Sequence, residues 1–420
     1  MRGLLRRLAF GALLVPAALQ AQSWVGDAQV LARPNAPTVG IALVVDGGAA
    51  RDRPGREGET WLFAHTLAET LVLMAPATTA RQAQVEVLED RWALSLLVEP
   101  ADGLSALRDL RAALGSAPSA TIAEALKARL SASFVFESGS PVREMEGERR
   151  AMLDGFDSPW ARAPRGNPVS VEGLSANDLA AVGRDLGPER LRIGIVGHLD
   201  EPAVRTILGT TSSTRPDSLA AAIPPTVAAT IRPGPWYGAS AWTTGDRVRV
   251  VREVTNSWVT VAFPIPADLP QTLLEFLAHR MDEEISTDPP DPGIFDAEIL
   301  IVRRPAGRLL VVNVAVLPEA TERWEAQILT TADLAAAPVQ EAFFHWLRRR
   351  FRATVMLDES APEALAMRLA EDLLLGIPPG RRIEEESWLL SPGLLLDASR
   401  ALGPPRILVY GPNFGSGNEP

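Results

Sequence analysis

The chain contains four histidines and no cysteine, which limits the chemistry it can support. Without cysteine there is no disulfide, no thiolate metal site, no thiol nucleophile and no lipidated N-terminal cysteine. The histidines are His65, His198, His279 and His345. No two of them stand at the spacing of a zinc pair, so a histidine-rich metal centre is excluded. His65 reads as an inert, hydrogen-bonded histidine on a core-facing helix, and His198 as a turn residue just past a strand. His279 and His345 sit beside arginine or tryptophan on helical stretches. Ser133, Ser138 and Ser140 lie in SASFVFESGS, which lacks the G-x-S-x-G elbow of a serine hydrolase. Gly47-Gly48 shows no G-x-G-x-x-G pattern and no neighbouring lysine, so it reads as a tight turn and not a phosphate cradle. Arg348, Arg349 and Arg350, with Arg352, follow the aromatic run from Phe343 to Trp346. They read either as a solvated helix end or as a basic contact for a peptide carboxylate or acidic partner.

These residues sit within alternating strand-like and helix-like segments. Thr38 to Asp46 is a β-branched strand that stops at Gly47-Gly48, and Glu59 to Met74 is apolar on a helical period. Ala83 to Leu97 alternates as one or two strands. Leu104 to Leu114, Ile122 to Leu130 and Pro141 to Gly155 read as helices. Ser175 followed by Asp178 resembles a capping box, and the helix it opens is stopped by Gly187-Pro188 before a strand at Arg190 to Val196. Ala203 to Leu208 starts one more helix. After the Ser-, Thr- and Pro-rich stretch Thr211–Pro235 the order begins again. Strands are predicted at Arg247 to Val254, Trp258 to Phe263, Glu298 to Val302, Arg308 to Val316 and Arg406 to Tyr410. Helices are predicted at Leu269 to Ile285, Glu319 to Leu334, Gln340 to Phe351, Glu363 to Leu375 and from Ser391.

LSANDLAAVGRDLGPERLRIGIVGHLD near the middle resembles LSPGLLLDASRALGPPRILVYGP at the end. This is an internal repeat of roughly 190 residues, so one α+β unit occurs twice in tandem. A length of 420 residues with 46% hydrophobic and 22% charged residues also suits two domains. Of the 41 basic residues all but Lys127 are arginine, a compositional bias without functional weight, and the net charge of −11 argues against general nucleic-acid binding. Met1 to Ala21 has a basic start, the apolar run Leu8 to Leu19 and a small residue at its exit, the pattern of a cleaved secretory signal. Its loss takes away three arginines and leaves −14. The expected layout is residues 1–21 signal peptide, 23–210 N-terminal domain, 211–235 linker and 236–420 C-terminal domain, in a periplasmic or secreted protein.

The strand, the turn Gly47-Gly48, the acid-proline-glycine stretch to Gly58 and the helix with Trp61-Leu62-Phe63-Ala64-His65 resemble the M16 metallopeptidases, the pitrilysin and mitochondrial-processing-peptidase group. The resemblance implies two tandem homologous LuxS/MPP-like α+β domains, each a mostly antiparallel sheet packed with helices. In that family this helix carries the inverted zinc motif H-x-x-E-H. Aligned on Gly58, Trp61 stands for the first histidine and Ala64 for the catalytic glutamate, and only His65 remains. The third ligand, a glutamate on a later helix, falls within Glu137 to Glu148, with Glu144 as the match. Tryptophan cannot ligate zinc and alanine cannot act as a general base, so no catalytic residue, metal or cofactor is expected. The family's substrate-gripping Arg–Tyr pair falls at about Asp288 to Ile299, where there is no tyrosine and Phe295 is the nearest aromatic. Phe295 and Arg348 to Arg350 are therefore the candidate substrate contacts.

The resemblance implies an exported, catalytically inactive subunit that pairs with an M16 chain carrying the intact motif. Together the two would enclose an extended peptide, which would add to a sheet edge as a strand. The alternative is a stand-alone periplasmic peptide-binding or scaffold protein with no proteolytic role, for example a homodimer.

Overall fold

A computed structural model describes residues 22–25, 28–209, 247–286, 293–304, 307–335, 338–377 and 386–413. The expected signal peptide and the expected linker lie outside the described residues.

The N-terminal half runs β1 (Gln22–Val25), β2 (Ala28–Ala32), β3 (Val39–Asp46), α1 (Glu59–Leu73), β4 (Arg81–Val87), β5 (Arg91–Val98), α2 (Gly103–Leu114), α3 (Ala120–Phe136), α4 (Pro141–Asp154), α5 (Pro168–Glu172), α6 (Ala176–Arg184), β6 (Leu191–Gly197) and α7 (Glu201–Leu208). The C-terminal half runs β7 (Arg247–Val251), β8 (Ser257–Ile265), α8 (Gln271–Ser286), β9 (Ile294–Arg304), β10 (Gly307–Val316), α9 (Thr321–Ala335), α10 (Glu341–Asp358), α11 (Pro362–Leu374), α12 (Pro392–Arg400) and β11 (Arg406–Gly411). The sheets are ordered β1-β2-β6-β3-β5-β4 and β7-β11-β8-β10-β9. Apart from β1 the two orders are the same, and in each the single parallel pair is formed by the half's last strand, β2 with β6 and β7 with β11. The two α+β domains expected from the sequence are present.

The expected segments coincide with real elements, with differences at their ends. The capping box is real: Ser175 Oγ accepts from Asp178 N, and Asp178 Oδ2 accepts from Ser175 N at 2.9 Å. The helix predicted to stop at Leu130 continues to Phe136, and the one predicted to stop at Phe351 continues to Asp358. The short strands β1 and β2 and the single-turn helix α5 have no periodic signature and were not expected.

Strand β3 is apolar throughout because both of its faces are covered. Val39, Ile41, Leu43 and Val45 join α1, α2 and α3 in the N-terminal core. Ala42 and Val44, with Leu31, Ala93 and Val196, pack against Leu365, Ala366, Leu369 and Ala370 of α11, a helix from the other half. The exchange is reciprocal. Met152 and Leu153 of α4 pack on Ala262, Leu309, Val311 and Leu408 of the C-terminal sheet. Helices α4 and α11 hold equivalent places in the two repeats, so each repeat closes the other's sheet.

The exchange is unequal, and the strand register shows why. Gly40 pairs with Val196 and Ala42 with Gly194 in one sheet, where Trp258 pairs with Tyr410 and Thr260 with Leu408 in the other. The small residues let α11 seat directly on the sheet. A Cβ on Gly194 would lie 1.9 Å from the Ala366 carbonyl oxygen, and one on Gly40 would lie 2.3 Å from the Pro362 backbone. The bulky set of the C-terminal sheet holds α4 further out.

Candidate functional site

The loop from Gly47 to Gly58 and the start of α1 are fixed by buried acids. Asp52 accepts from the backbone amides of Gly58 at 2.6 Å and Thr60 at 3.1 Å, so it satisfies donors at the helix start. Burial pushes its carboxyl up to about 7, against the pull of these hydrogen bonds. Glu59 is buried and accepts from Arg53 N at 2.9 Å and from the Arg53 guanidinium. Arg53 also reaches Asp178 at 3.1 Å, tying the loop to the capping box of α6. The loop therefore acts as a brace for α1.

Four positions apart on α1, the rings of Trp61 and His65 face each other with centroids 3.9 Å apart and planes tilted by 32°. His65 is half-buried, and in place of the expected hydrogen bond it has this ring contact. Burial, and then the charge of Arg165, hold its imidazole down at about 4 against the opposing pull of Glu69. It is therefore neutral at physiological pH. The Arg165 guanidinium lies 5.9 Å from the Trp61 ring centroid and also 5.9 Å from that of Phe134. It donates to Ser133 Oγ at 2.6 Å and to Glu137 at 3.0 Å, and Arg143 pairs with the same glutamate. Ala64 has no exposed surface and belongs to the apolar core.

Glu144 is elsewhere. On α4 it accepts from Tyr410 Oη at 2.9 Å and lies 3.4 Å from Arg252 Nε, both in the C-terminal half. Neither partner is on α1, and α4 packs against the C-terminal sheet. Within the span Glu137 to Glu148 it is Glu137 that reaches this neighbourhood, and it does so through Arg165. Sequence reasoning missed Arg165, which stands 100 positions beyond His65 on a loop and carries no motif. Phe295 lies half-exposed on the edge strand β9. On α10, Arg348 lies over the rings of Phe344 and Trp388, and Arg350 pairs with Glu283 at 2.9 Å and lies over Trp346. Arg349 is exposed. These residues form no common site with Trp61 and His65. His198 is exposed just after β6, as expected of a turn residue.

The donor set does not fit zinc. His65 is a single imidazole, its helical neighbour is an indole, the charge that acts on it most is that of Arg165, and the position that the resemblance assigns to the general base is an alanine in the core. Among the described residues no three His, Asp or Glu side chains are placed to hold a metal ion.

Neither a protein-family model nor a curated protein matches the sequence. Solved structures do match. One is described as the inactive domain of an M16 peptidase from Pseudomonas fluorescens, with TM-score 0.71, 14% identity, and coverage of 94% of this chain and 98% of that one. A chain of Complex III2 from Candida albicans aligns with TM-score 0.69 at 13% identity, covering 93% of this chain and 96% of its own. A protease from Helicobacter pylori aligns with TM-score 0.69 at 12% identity, covering 93% and 99%. Over nearly its whole length, this chain has the two-domain M16 peptidase fold.

Proposed function

We propose that this chain is an exported, non-catalytic M16-like subunit that pairs with an active zinc peptidase chain and supplies part of the wall of a peptide-binding chamber. One combination supports the reading: the fold matches M16 structures over nearly their whole length, while α1 carries Trp61 and Ala64 at the positions that the sequence resemblance assigns to a zinc ligand and the general base. A full two-domain scaffold without metal chemistry suits a partner's chamber. The edge strands β4 and β9 offer ladder groups to which an extended peptide can add. The basic, then apolar, first 21 residues support export.

The test is co-expression with an M16 chain that carries H-x-x-E-H, purified by a tag on this chain. The expected result is co-purification and chelator-sensitive cleavage of unstructured peptides by the pair, with none by this chain alone. Chelator-sensitive cleavage by this chain alone would overturn the reading. Failure to co-purify would favour a stand-alone binding or scaffold protein.

A further inference from the structure

Where α11 faces the C-terminal half there is a small crevice of about 70 Å³, lined by Arg91, Arg303, Arg308, Arg368, Glu371 and Asp372 among others. The four arginines are not equally matched. Arg91 has Asp90 at 3.2 Å and Glu371 at 2.9 Å. Arg368 has Glu275 at 2.7 Å and Asp372 at 3.2 Å. Arg308 instead donates only to neutral oxygens, Gln271 Oε1 at 2.9 Å and the carbonyls of Pro266, Ala267 and Leu269. Burial, and then the charge of Arg303, pull its pKa below the ordinary arginine value. Arg303 stands directly opposite it across the β9–β10 ladder. Its nearest acid is Asp90 at 3.7 Å, beyond hydrogen-bonding distance, and its buried Nη1 has no hydrogen-bond partner.

Two like charges directly opposite on neighbouring strands repel, and a half-buried guanidinium with no acid in hydrogen-bonding reach is costly. An oxyanion between them would remove both penalties, since guanidinium groups match carboxylate and phosphate oxygens in geometry and charge. We infer that this crevice binds one oxyanion group, a carboxylate or a phosphate carried by a small ligand, between Arg303 and Arg308. The site lies away from Trp61 and His65, and the inference does not depend on pairing with a peptidase.

The experiment is titration of the purified chain with inorganic phosphate and with acetate at constant ionic strength, followed by calorimetry and by melting temperature. Saturable binding is expected, weakened at least tenfold in Arg303→Gln. The unliganded variant should melt no lower than the parent, because a repulsion has been removed. Arg303→Lys keeps the charge but loses the fork and should fall between. Arg108→Gln, an exposed arginine on α2, should leave binding unchanged. A short peptide with a free C-terminus that displaces phosphate, where its amidated form does not, would identify a peptide terminus as the source. If neither peptide displaces it, the ligand is a small free oxyanion. Absence of saturable binding, or equal binding by the parent and Arg303→Gln, would overturn the inference.

Discussion

The indole of Trp61 lies against the imidazole of His65, and the Arg165 guanidinium flanks the same indole. This packed, cationic corner includes the positions that the sequence resemblance assigns to two zinc-binding histidines. Trp61→His would restore two histidines at zinc spacing on α1, but with Arg165 beside them and no acid ligand in place. The variant should purify with far less than one zinc per chain by elemental analysis and should lose about 1–3 kcal/mol of stability with the aromatic contact. Ala64→Glu puts an unpaired carboxylate into the apolar core and should cost about 2 kcal/mol or more in denaturant melts. Stoichiometric zinc in the histidine variant would contradict this account of the corner.

Gly194 permits the close seat of α11. Gly194→Ala places a Cβ against the Ala366 carbonyl and should destabilise by about 1–3 kcal/mol, read as a lowered urea midpoint. The equivalent position in the other sheet is Leu408, where Leu408→Ala should act through a cavity instead and cost about 2–5 kcal/mol.

Tyr410 and Glu144 join β11 to the exchanged helix α4. Desolvation, followed by the bond to Glu144, pushes the Tyr410 hydroxyl up to about 12. Because Glu144 is half-exposed, the bond should be worth only about 1 kcal/mol. A double-mutant cycle of Tyr410→Phe and Glu144→Gln should give a coupling of that size. No coupling would show that the bond between Tyr410 and Glu144 does not help to hold α4.

Asp372 is pushed up to about 7 by burial, with Glu275, Glu371 and Glu359 adding to the rise and Arg368 opposing it. A carboxyl raised in the folded state binds more protons folded than unfolded, so its contribution to stability falls as pH rises from about 4 to about 7 and is flat above. Asp372→Asn removes this dependence. The stability difference should move in favour of the variant across that window by on the order of 1–3 kcal/mol, measured by melts at pH 4 to 8. A difference independent of pH would place the carboxyl at an ordinary value.

How much of this was legible in the sequence can be judged from particular residues. The turn at Gly47-Gly48 and the capping box of Ser175 and Asp178 were visible because they are local signals with fixed backbone consequences, whereas the brace that Asp52, Arg53 and Glu59 build at α1 was not. The degenerate motif was visible because i to i+4 spacing places Trp61 and His65 side by side on any helix. The partners of Glu144, Tyr410 and Arg252, were not legible because counting along the chain cannot say which sheet an amphipathic helix will cover. Periodicity marks the apolar stripe of α4 and not its destination. Arg165 was invisible for a related reason: it acts across a long loop and reads locally as any other arginine.

The exchange of α4 and α11 separates the unit that was duplicated from the unit that folds. Each repeat alone would leave one face of its sheet bare, so neither should be a stable protein by itself. A chain cut between residues 210 and 246 should nevertheless remain whole in solution, as two fragments clasped by each other's helix.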